Sequence, residues 1–340
     1  MGVFDQKEFR DHQEVSFFHD RESGLKAIIA IHHRVNGRAG GGIRMREYAD
    51  EQEALTDVLR LSRAMTYKMA MAGAEVGGAK TVVLGVDKSE AKLEALGKII
   101  DGFEGRYVAG EDVGVTPEDI LIIKRQTRHV IGGPDDTTSP MTALGIYQGM
   151  RAAVQQRFRQ ESLKGMEVAV QGAGNVAWHL MFHLTEAGAK IRIADVDSAA
   201  LERASTAYDV TVVDPEEILF QDVDILAPCA LGGVLNQETI PHIQAQIICG
   251  CANNQLATAA DDALLQRRGL LYVPDYVVNA GGVIVGTGVL AGAGAAEIQQ
   301  RVEEIYHTCQ RVIEKAVAED TGTEAAANSL AEAIIRRAPA

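Results

Sequence analysis

Aromatic residues are scarce in this 340-residue chain, with one tryptophan, eight tyrosines and eight phenylalanines. Their place is taken by 34 glycines and abundant alanine, which suits tight βα turns and closely packed helices. Basic residues are also short. Thirty-three lysines and arginines face 47 acids, giving a net charge of −14. That balance argues against nucleic acid or an anionic membrane as partner, because both require basic patches. No apolar run is long enough to cross a bilayer. Residues 1–19 are polar and charged, unlike a secretory leader, so a cytoplasmic location is expected. The four cysteines, Cys229, Cys249, Cys251 and Cys309, contain no CxxC pair. They read as buried small residues in a reducing compartment. The length is ample for two cored domains.

What is present is a nucleotide-binding signature. Val168-Ala169-Val170-Gln171 reads as a buried strand, Gly172-Ala173-Gly174-Asn175-Val176-Ala177 as a tight turn entering a helix, and Ile191-Arg192-Ile193-Ala194 as a second strand closed by Asp195. This is the form Gly-x-Gly-x-x-Ala, with an acid roughly 20 residues on. Gly172 makes the turn, Gly174 lets the backbone approach a pyrophosphate, and Ala177 lets helix and strand pack closely. Asp195 would accept hydrogen bonds from an adenosine ribose. Val196-Asp197-Ser198 supply no arginine for a 2′-phosphate, so NAD is expected rather than NADP.

The first half alternates strands and helices. Residues 25–31 form an apolar strand, and Asp50 with Glu53 resembles a capping box. Leu55, Val58, Leu59, Ser62 and Met65 then recur at helical spacing. Residues 81–84 and 106–109 read as strands around a helix carrying Leu93, Leu96, Ile100 and Phe103. Thr116, Pro117 and Asp119 start another helix. Residues 132–140 are the best linker. Strands are expected at 210–213, 223–226, 247–250 and 270–273, and helix from 295 onward. Residues 286–296 form a small-residue run. The architecture expected is α/β, with two domains around a cleft. Residues 1–135 would form a substrate-binding and oligomerisation domain, with a C-terminal helix at about 311–340 packing back on it. Residues 145–310 would form a Rossmann-type NAD domain.

Three segments of the first half carry polar residues where elements end. They are Gly40-Gly41-Gly42-Ile43-Arg44, Met65-Thr66-Tyr67-Lys68 leading to Gly77-Gly78-Ala79-Lys80, and Gly110-Glu111-Asp112. Two lysines suit a substrate bearing a carboxylate and an amine. One ammonium holds the carboxylate; the other, crowded by that charge and desolvated, has its pKa lowered and acts as a base. Asp112 could move protons to and from the amine. A lysine taken alone is more often an ordinary surface residue, but the flanking glycines allow close backbone approach.

These segments resemble the glutamate/leucine/phenylalanine/valine dehydrogenase family, in its short, leucine- and phenylalanine-type branch. Supporting stretches are Ser62-Arg63-Ala64-Met65-Thr66-Tyr67-Lys68, Ala227-Pro228-Cys229-Ala230-Leu231-Gly232-Gly233, Ala252-Asn253-Asn254-Gln255-Leu256 and Pro274-Asp275-Tyr276-Val277-Val278-Asn279-Ala280-Gly281-Gly282. The resemblance covers nearly the whole chain. It implies that Lys68 binds the substrate carboxylate, Lys80 activates the water attacking an imine carbon, and Asp112 shuttles protons. Asn253 would fix substrate and nicotinamide together, with Thr142, Ala230 and Asn279 also on the cofactor side. Gly41 and Gly42 would present backbone to the substrate, and Met65 would line its site. The implied reaction is oxidative deamination of a hydrophobic L-amino acid to a 2-oxo acid, ammonia and NADH, by a homo-oligomer, dimer or octamer.

Departures from the family pattern stand beside these roles. Ala79 replaces a glycine before Lys80, and Ile43 replaces a polar residue. After Gly282 the chain reads Val283-Ile284-Val285-Gly286, where leucine-type relatives continue Val-Ile-Asn-Val. Glutamate-specific relatives carry a lysine where this chain has Gly40, so glutamate is disfavoured. Gly40, Gly110 and Gly286, with Val283, suggest a wide uncharged pocket that a bulky aliphatic or aromatic side chain, leucine-type or phenylalanine-type, would fill better than valine, unless a neighbour such as Met65 or Val289 refills it. His179 and His183 have the spacing of a zinc helix but lack its glutamate, so no metal is expected. Trp178 reads as a packing residue. Two other readings stay open. One is a hydroxy-acid dehydrogenase, separable by ammonia dependence of its reverse reaction. The other is a non-catalytic amino-acid or NAD sensor, which would bind without turnover.

Overall fold

A computed structural model describes residues 2–134 and 138–339; the centre of the expected linker, 135–137, lies outside the described residues. The chain divides into two compact units, one of residues up to 134 with 331–339, the other of 138–330.

The first unit contains β1 (Glu14–Asp20), β2 (Leu25–His33), β3 (Ala39–Arg46), α1 (Glu51–Met71), β4 (Gly77–Leu84), α2 (Glu90–Asp101), β5 (Tyr107–Glu111) and α3 (Pro117–Lys124). Among the described residues its strands form one sheet in the order β1-β2-β4-β3-β5. β1, β2 and β4 pair antiparallel, whereas β3 lies parallel to both β4 and β5. β2 is apolar on both faces because both are covered. Ile29 and Ile31 join the core formed with α2 and α3, while Ile28 and Ala30 face α1. Helix starts follow local chemistry. Asp50 caps α1 by accepting the Glu53 N–H at 2.8 Å, and the Glu53 carboxylate reaches back to Ala49 rather than to the cap residue. At α3 the box is reciprocal: Thr116 Oγ1 accepts from Asp119 N, and Asp119 accepts from Thr116 N.

β1 and β3 were not among the expected strands. β1 is an edge strand that is half-buried at most, so its alternation is weak. β3 carries Gly40, Gly41 and Gly42 next to its first residue, and glycine has poor strand propensity. Its glycines are there for closeness. A Cβ on Gly41 would collide with the Ala79 carbonyl, and the β3–β4 pairs skip Gly41 and Gly42 without a change of register. The run 286–296 also differs: α9 takes residues up to Leu290 into a helix.

The second unit contains α4 (Thr138–Phe158), β6 (Glu167–Gln171), α5 (Asn175–Glu186), β7 (Lys190–Ala194), α6 (Ser198–Ala207), β8 (Val210–Val212), β9 (Ile225–Pro228), β10 (Ile247–Ile248), α7 (Ala260–Arg267), β11 (Leu271–Tyr272), α8 (Asp275–Val278), α9 (Gly281–Leu290), α10 (Ala295–Glu303) and α11 (Ile305–Glu319); α12 (Thr323–Ile335) carries the unit boundary. Among the described residues the sheet order is β11-β10-β9-β6-β7-β8, parallel throughout. Numbered from β6, this is 6-5-4-1-2-3, the doubly wound Rossmann order read from its other edge, with the ligand crevice at the switch between β6 and β9.

The C-terminal expectation needs correcting. Residues 311–330 stay with the second unit, and only those from 331 belong to the first. The reason is the apolar stripe of α11, where Ile305, Cys309, Val312 and Ile313 are buried and the helix packs on α4 and α8. The last segment is held to the first unit by Tyr67, whose hydroxyl donates to Glu332 Oε1 at 2.9 Å.

Gly78 decides how closely α1 approaches the sheet, because a Cβ there would overlap Thr66 backbone. Gly78→Ala is therefore expected to cost about 1–3 kcal/mol by overpacking. An unchanged urea midpoint for that variant would refute this account of the α1–β4 contact.

Candidate active site

Lys80 sits in the middle of β4, on the face covered by α1, and is 5% exposed. An ammonium there needs a partner. Asp112, just past the end of β5, provides it, with Oδ2 3.0 Å from Lys80 Nζ. The same oxygen accepts from Arg44 Nε of β3 at 2.9 Å. Arg44 also reaches Asp57 of α1 at 3.3 Å. Asp57 in turn takes hydrogen bonds from Tyr48 at 2.9 Å and Arg60 at 3.0 Å. The result is an alternating chain of charge that joins β3, β4, α1 and the segment leaving β5.

The electrostatics follow from burial and neighbours. Burial pushes the Lys80 pKa below the ordinary lysine value and Arg44 adds to this, although Asp112 opposes it. For Asp112 burial alone would favour the neutral acid, but Lys80 and Arg44 outweigh it and hold the carboxyl below its usual range. The Lys80 ammonium is thus easier to deprotonate than an ordinary lysine, and the Asp112 carboxyl harder to protonate than an ordinary acid. Gly42 makes room for them, since a Cβ there would lie 2.7 Å from Asp112 Cβ and 3.1 Å from Lys80 Nζ. Ala79 points the other way, into the α2–α3 core, so its methyl does not crowd the ammonium.

Lys68 is half-buried in the last turn of α1, with Met65 one turn earlier. The space over Gly40 is not open. A Cβ there would meet Met69 Cε at 3.1 Å and Val76 at 3.5 Å, and one on Gly110 would meet Ile131 at 3.4 Å. At Gly40 the Met69 side chain therefore takes up the space that the glycine leaves, whereas at Gly110 a Cβ would make only an ordinary contact with Ile131.

In the second unit the glycine turn joins β6 to α5. Gly172 adopts φ +102°, a conformation suited to glycine. Space beyond Gly174 is open, and no side chain caps the start of α5 at Asn175 and Val176. The free amides there suit a pyrophosphate. Ala177 is buried beneath them. Asp195, just past β7, accepts from Ala173 N at 2.6 Å and Asp197 N at 2.8 Å. Each oxygen keeps a second lone pair for a ribose hydroxyl. Ala230 lies against Gly172, with Cβ positions 3.1 Å apart were Gly172 to carry one. Asn279 donates to Asn253 Oδ1 at 2.8 Å and to the Cys251 carbonyl at 3.1 Å. Thr142 Oγ1 accepts from Gly282 N at 3.1 Å. Val283 and Gly286 follow on α9, Val283 half-buried and Gly286 buried. His183 is stacked on Tyr147 and Trp178 packs edge-on to Tyr208.

Both units match one family along nearly their whole length. Residues 11–129 match the profile described as Glu/Leu/Phe/Val dehydrogenase, dimerisation domain. Residues 132–204 and 195–338 match that of glutamate/leucine/phenylalanine/valine dehydrogenase. The chain belongs to the glutamate/leucine/phenylalanine/valine dehydrogenase family. It is therefore an amino-acid dehydrogenase that uses a nicotinamide cofactor. Leucine dehydrogenase from Bacillus cereus is 46% identical, over 98% of this chain and 93% of that enzyme. Valine dehydrogenase from Streptomyces virginiae is 41% identical, over 94% and 93%. The crystal structure of L-tryptophan dehydrogenase from Nostoc punctiforme superimposes with a TM-score of 0.88 at 42% identity, covering 96% of both chains. Among the described residues no helix is long and apolar enough to cross a membrane.

Two residues of this family member's charged chain were not singled out from sequence. Arg44 lay inside a quoted segment without a role, and Asp57 lay between apolar helix positions. The available signal was an acid on the sheet-facing side of an amphipathic helix, where an unpaired charge is costly.

Arg44 pairs both acids, so its loss should be felt in stability as a function of pH. Both carboxyls are held below their ordinary value, against the effect of burial, by partners that include Arg44. Their stabilisation is complete above an unfolded carboxylate pKa of about 3.9 and is lost as pH falls through the lower folded values. Arg44→Ala should thus cost roughly 3 kcal/mol at neutral pH. The gap from wild type should narrow in acid, read by urea unfolding at several pH values. A gap that stays constant would refute the pairing.

Proposed function

We propose that this chain interconverts a hydrophobic L-amino acid and its 2-oxo acid, with NAD as the cofactor. In the forward direction amino acid and water give 2-oxo acid, ammonium, a hydride delivered to nicotinamide, and a proton. The observation that carries this reading is the buried Lys80–Asp112 pair, whose lysine has a lowered pKa and whose carboxylate is braced by Arg44.

Lys68 holds the substrate carboxylate. Lys80, once neutral, takes a proton from water as that water adds to the imine carbon. Asp112 stays ionised and passes protons to and from the nitrogen. Gly41 and Gly42 offer backbone to the substrate, and in the first unit Met65, Gly40 and Gly110 are the candidates to meet its side chain; in the second unit Val283 and Gly286 of α9 are candidate substrate residues. A bound nicotinamide supplies the hydride acceptor. Gly172, Gly174, Asn175, Val176, Ala177 and Asp195 hold its adenosine and pyrophosphate end. Thr142, Ala230, Asn253 and Asn279 hold the nicotinamide end. We further infer a cytoplasmic homo-oligomer, dimer or octamer; the dimerisation-domain profile on residues 11–129 supports assembly through the first unit.

Lys80→Ala should lower kcat by roughly 10²–10⁴, the usual contribution of a positioned base. Lys68→Ala should chiefly raise KM, as loss of an interaction equal in ground and transition states does. In the wild type kcat/KM for deamination should rise with pH as Lys80 deprotonates, and this rise should come below the range of a free lysine. Near-native turnover by Lys80→Ala would overturn the mechanism.

Specificity can be tested separately. Asp195 would repel a 2′-phosphate, and the exposed Val196 beside it offers no compensating charge. NAD should therefore exceed NADP in kcat/KM, and Asp195→Ala should erode the difference. With Met69 taking up the space at Gly40, we favour aliphatic side chains of leucine size over the aromatic ones that an open pocket would admit. Glutamate should fail, since burying its carboxylate without a cation costs several kcal/mol. An initial-rate panel of L-amino acids with both cofactors, plus ammonia dependence of the reverse reaction, decides this. Robust glutamate turnover would sink the hydrophobic reading, and ammonia-independent reduction would point to hydroxy-acid chemistry.

A further inference from the structure

The four cysteines do not behave alike. Cys249 and Cys309 are fully buried, but Cys229 and Cys251 are only half-buried, and all four are free thiols. Cys229 follows directly after β9, and Cys251 comes shortly after β10, the strand beside it. The strands pair Ile225 with Ile247 and Leu226 with Ile248. Two residues on, Gly250 faces Pro228, whose carbonyl a Cβ on Gly250 would overlap. The next residue on each strand is a cysteine. The Cys251 thiol donates to the Cys229 carbonyl, with Sγ 3.6 Å from that oxygen. Neighbouring strands lie about 4.8 Å apart, inside the roughly 4.4–6.8 Å Cα separation that a disulfide spans.

We propose that Cys229 and Cys251 form a peroxide-sensitive dithiol whose closure into a disulfide weakens dinucleotide binding. Hydrogen bonding from Cys251 lowers the Cys229 pKa, against the effect of burial, whereas the Cys251 thiol is pushed up. Cys229 is thus the attacking thiolate and Cys251 the thiol that resolves it. The Cys229 sulfur attacks a hydroperoxide and the O–O bond breaks. The departing oxygen leaves as water or an alcohol, and Cys229 becomes a sulfenic acid. The Cys251 sulfur then attacks that sulfur; an S–S bond forms, the S–O bond breaks, and water leaves with the Cys251 proton. Two thiols lose two electrons and the peroxide gains them.

The disulfide would act on binding through backbone already in contact with the nucleotide turn. The Cys229 carbonyl carbon would lie 3.2 Å from a Cβ on Gly172. The Cys251 carbonyl holds Asn279 Nδ2 at 3.1 Å, and Asn279 holds Asn253. Drawing the two sulfurs together shifts both carbonyls. This consequence rests on the cofactor assignment above; formation of the bond does not.

The test treats the purified full chain with hydrogen peroxide, with and without NADH. Peptide mapping should find a Cys229–Cys251 disulfide, with Cys249 and Cys309 still alkylatable, and bound NADH should slow its formation. NADH affinity, read by fluorescence, should fall by roughly tenfold, the scale of a coupling between sites. Dithiothreitol should restore it. Cys251→Ser should stop at a sulfenic acid on Cys229 that dimedone traps. Two free thiols after peroxide, or equal loss of affinity in Cys229→Ser, would overturn the proposal, as would a disulfide that leaves NADH affinity unchanged. If the reduced enzyme itself binds no NADH, the cofactor assignment fails, and the mapped disulfide still decides whether the dithiol exists.

Discussion

One carboxylate oxygen, Asp112 Oδ2, receives both the Lys80 ammonium and the Arg44 guanidinium. Everything around it in the first unit follows from the need to bring two cations to one acid. Lys80 comes from the middle strand of the sheet, Arg44 from its neighbour β3, and Asp112 from the chain leaving β5. Two cations on one oxygen would repel each other unless a second acid drew one of them away. Asp57 does so, and because it belongs to α1 the helix becomes part of the charge arrangement. The sheet order, the small residue at Gly42 and the close seat of α1 over Gly78 are then parts of one constraint.

The same arrangement separates the fates of two ionisable groups that touch. Burial disfavours charge on both, yet Lys80 has one acid beside it while Asp112 has two cations. Burial, aided by Arg44, pushes the lysine towards its neutral form, while the two cations keep the charge on the aspartate. Loss of the Lys80 proton leaves Asp112 still paired by Arg44, so the base form does not strand a naked carboxylate in the protein interior. Arg44 suits that duty because its planar fork serves two acids and never loses its proton.

The parts legible in the sequence were those whose chemistry is local. Gly172, Gly174 and Asp195 follow from the mechanics of a strand–turn–helix unit, and Thr116 with Asp119 from a cap that closes within one turn. Lys80 and Asp112 stood out by their glycine surroundings. What could not be read depended on partners distant in the chain. β3 did not stand out as a strand because the reason for its glycines is the backbone of β4. Asp57 looked like an ordinary helix acid because its partner Arg44 comes from a strand. The neighbour at Gly40 was hidden for the same reason: Met69, a turn beyond Met65 on α1, supplies bulk beside the glycine. Met is well suited to filling such irregular gaps.

The two units build their polar sites from different materials. In the first, side chains from strands and a helix carry the charge, and each is fixed by another charged group. In the second, the features that suit a dinucleotide are mostly main chain: open amides at the start of α5, a glycine with positive φ, and carbonyls beyond β9 and β10. Backbone at the carboxyl ends of parallel strands is held by the sheet itself and costs no side-chain ordering. It is also exposed to whatever happens to its neighbours, since a shift of one strand end moves the turn that touches it. That is why the pair of half-buried thiols beyond β9 and β10 matters more than the two cysteines sealed in the core. The buried pair can change only packing, whereas Cys229 and Cys251 sit on the strand ends that shape the nucleotide turn.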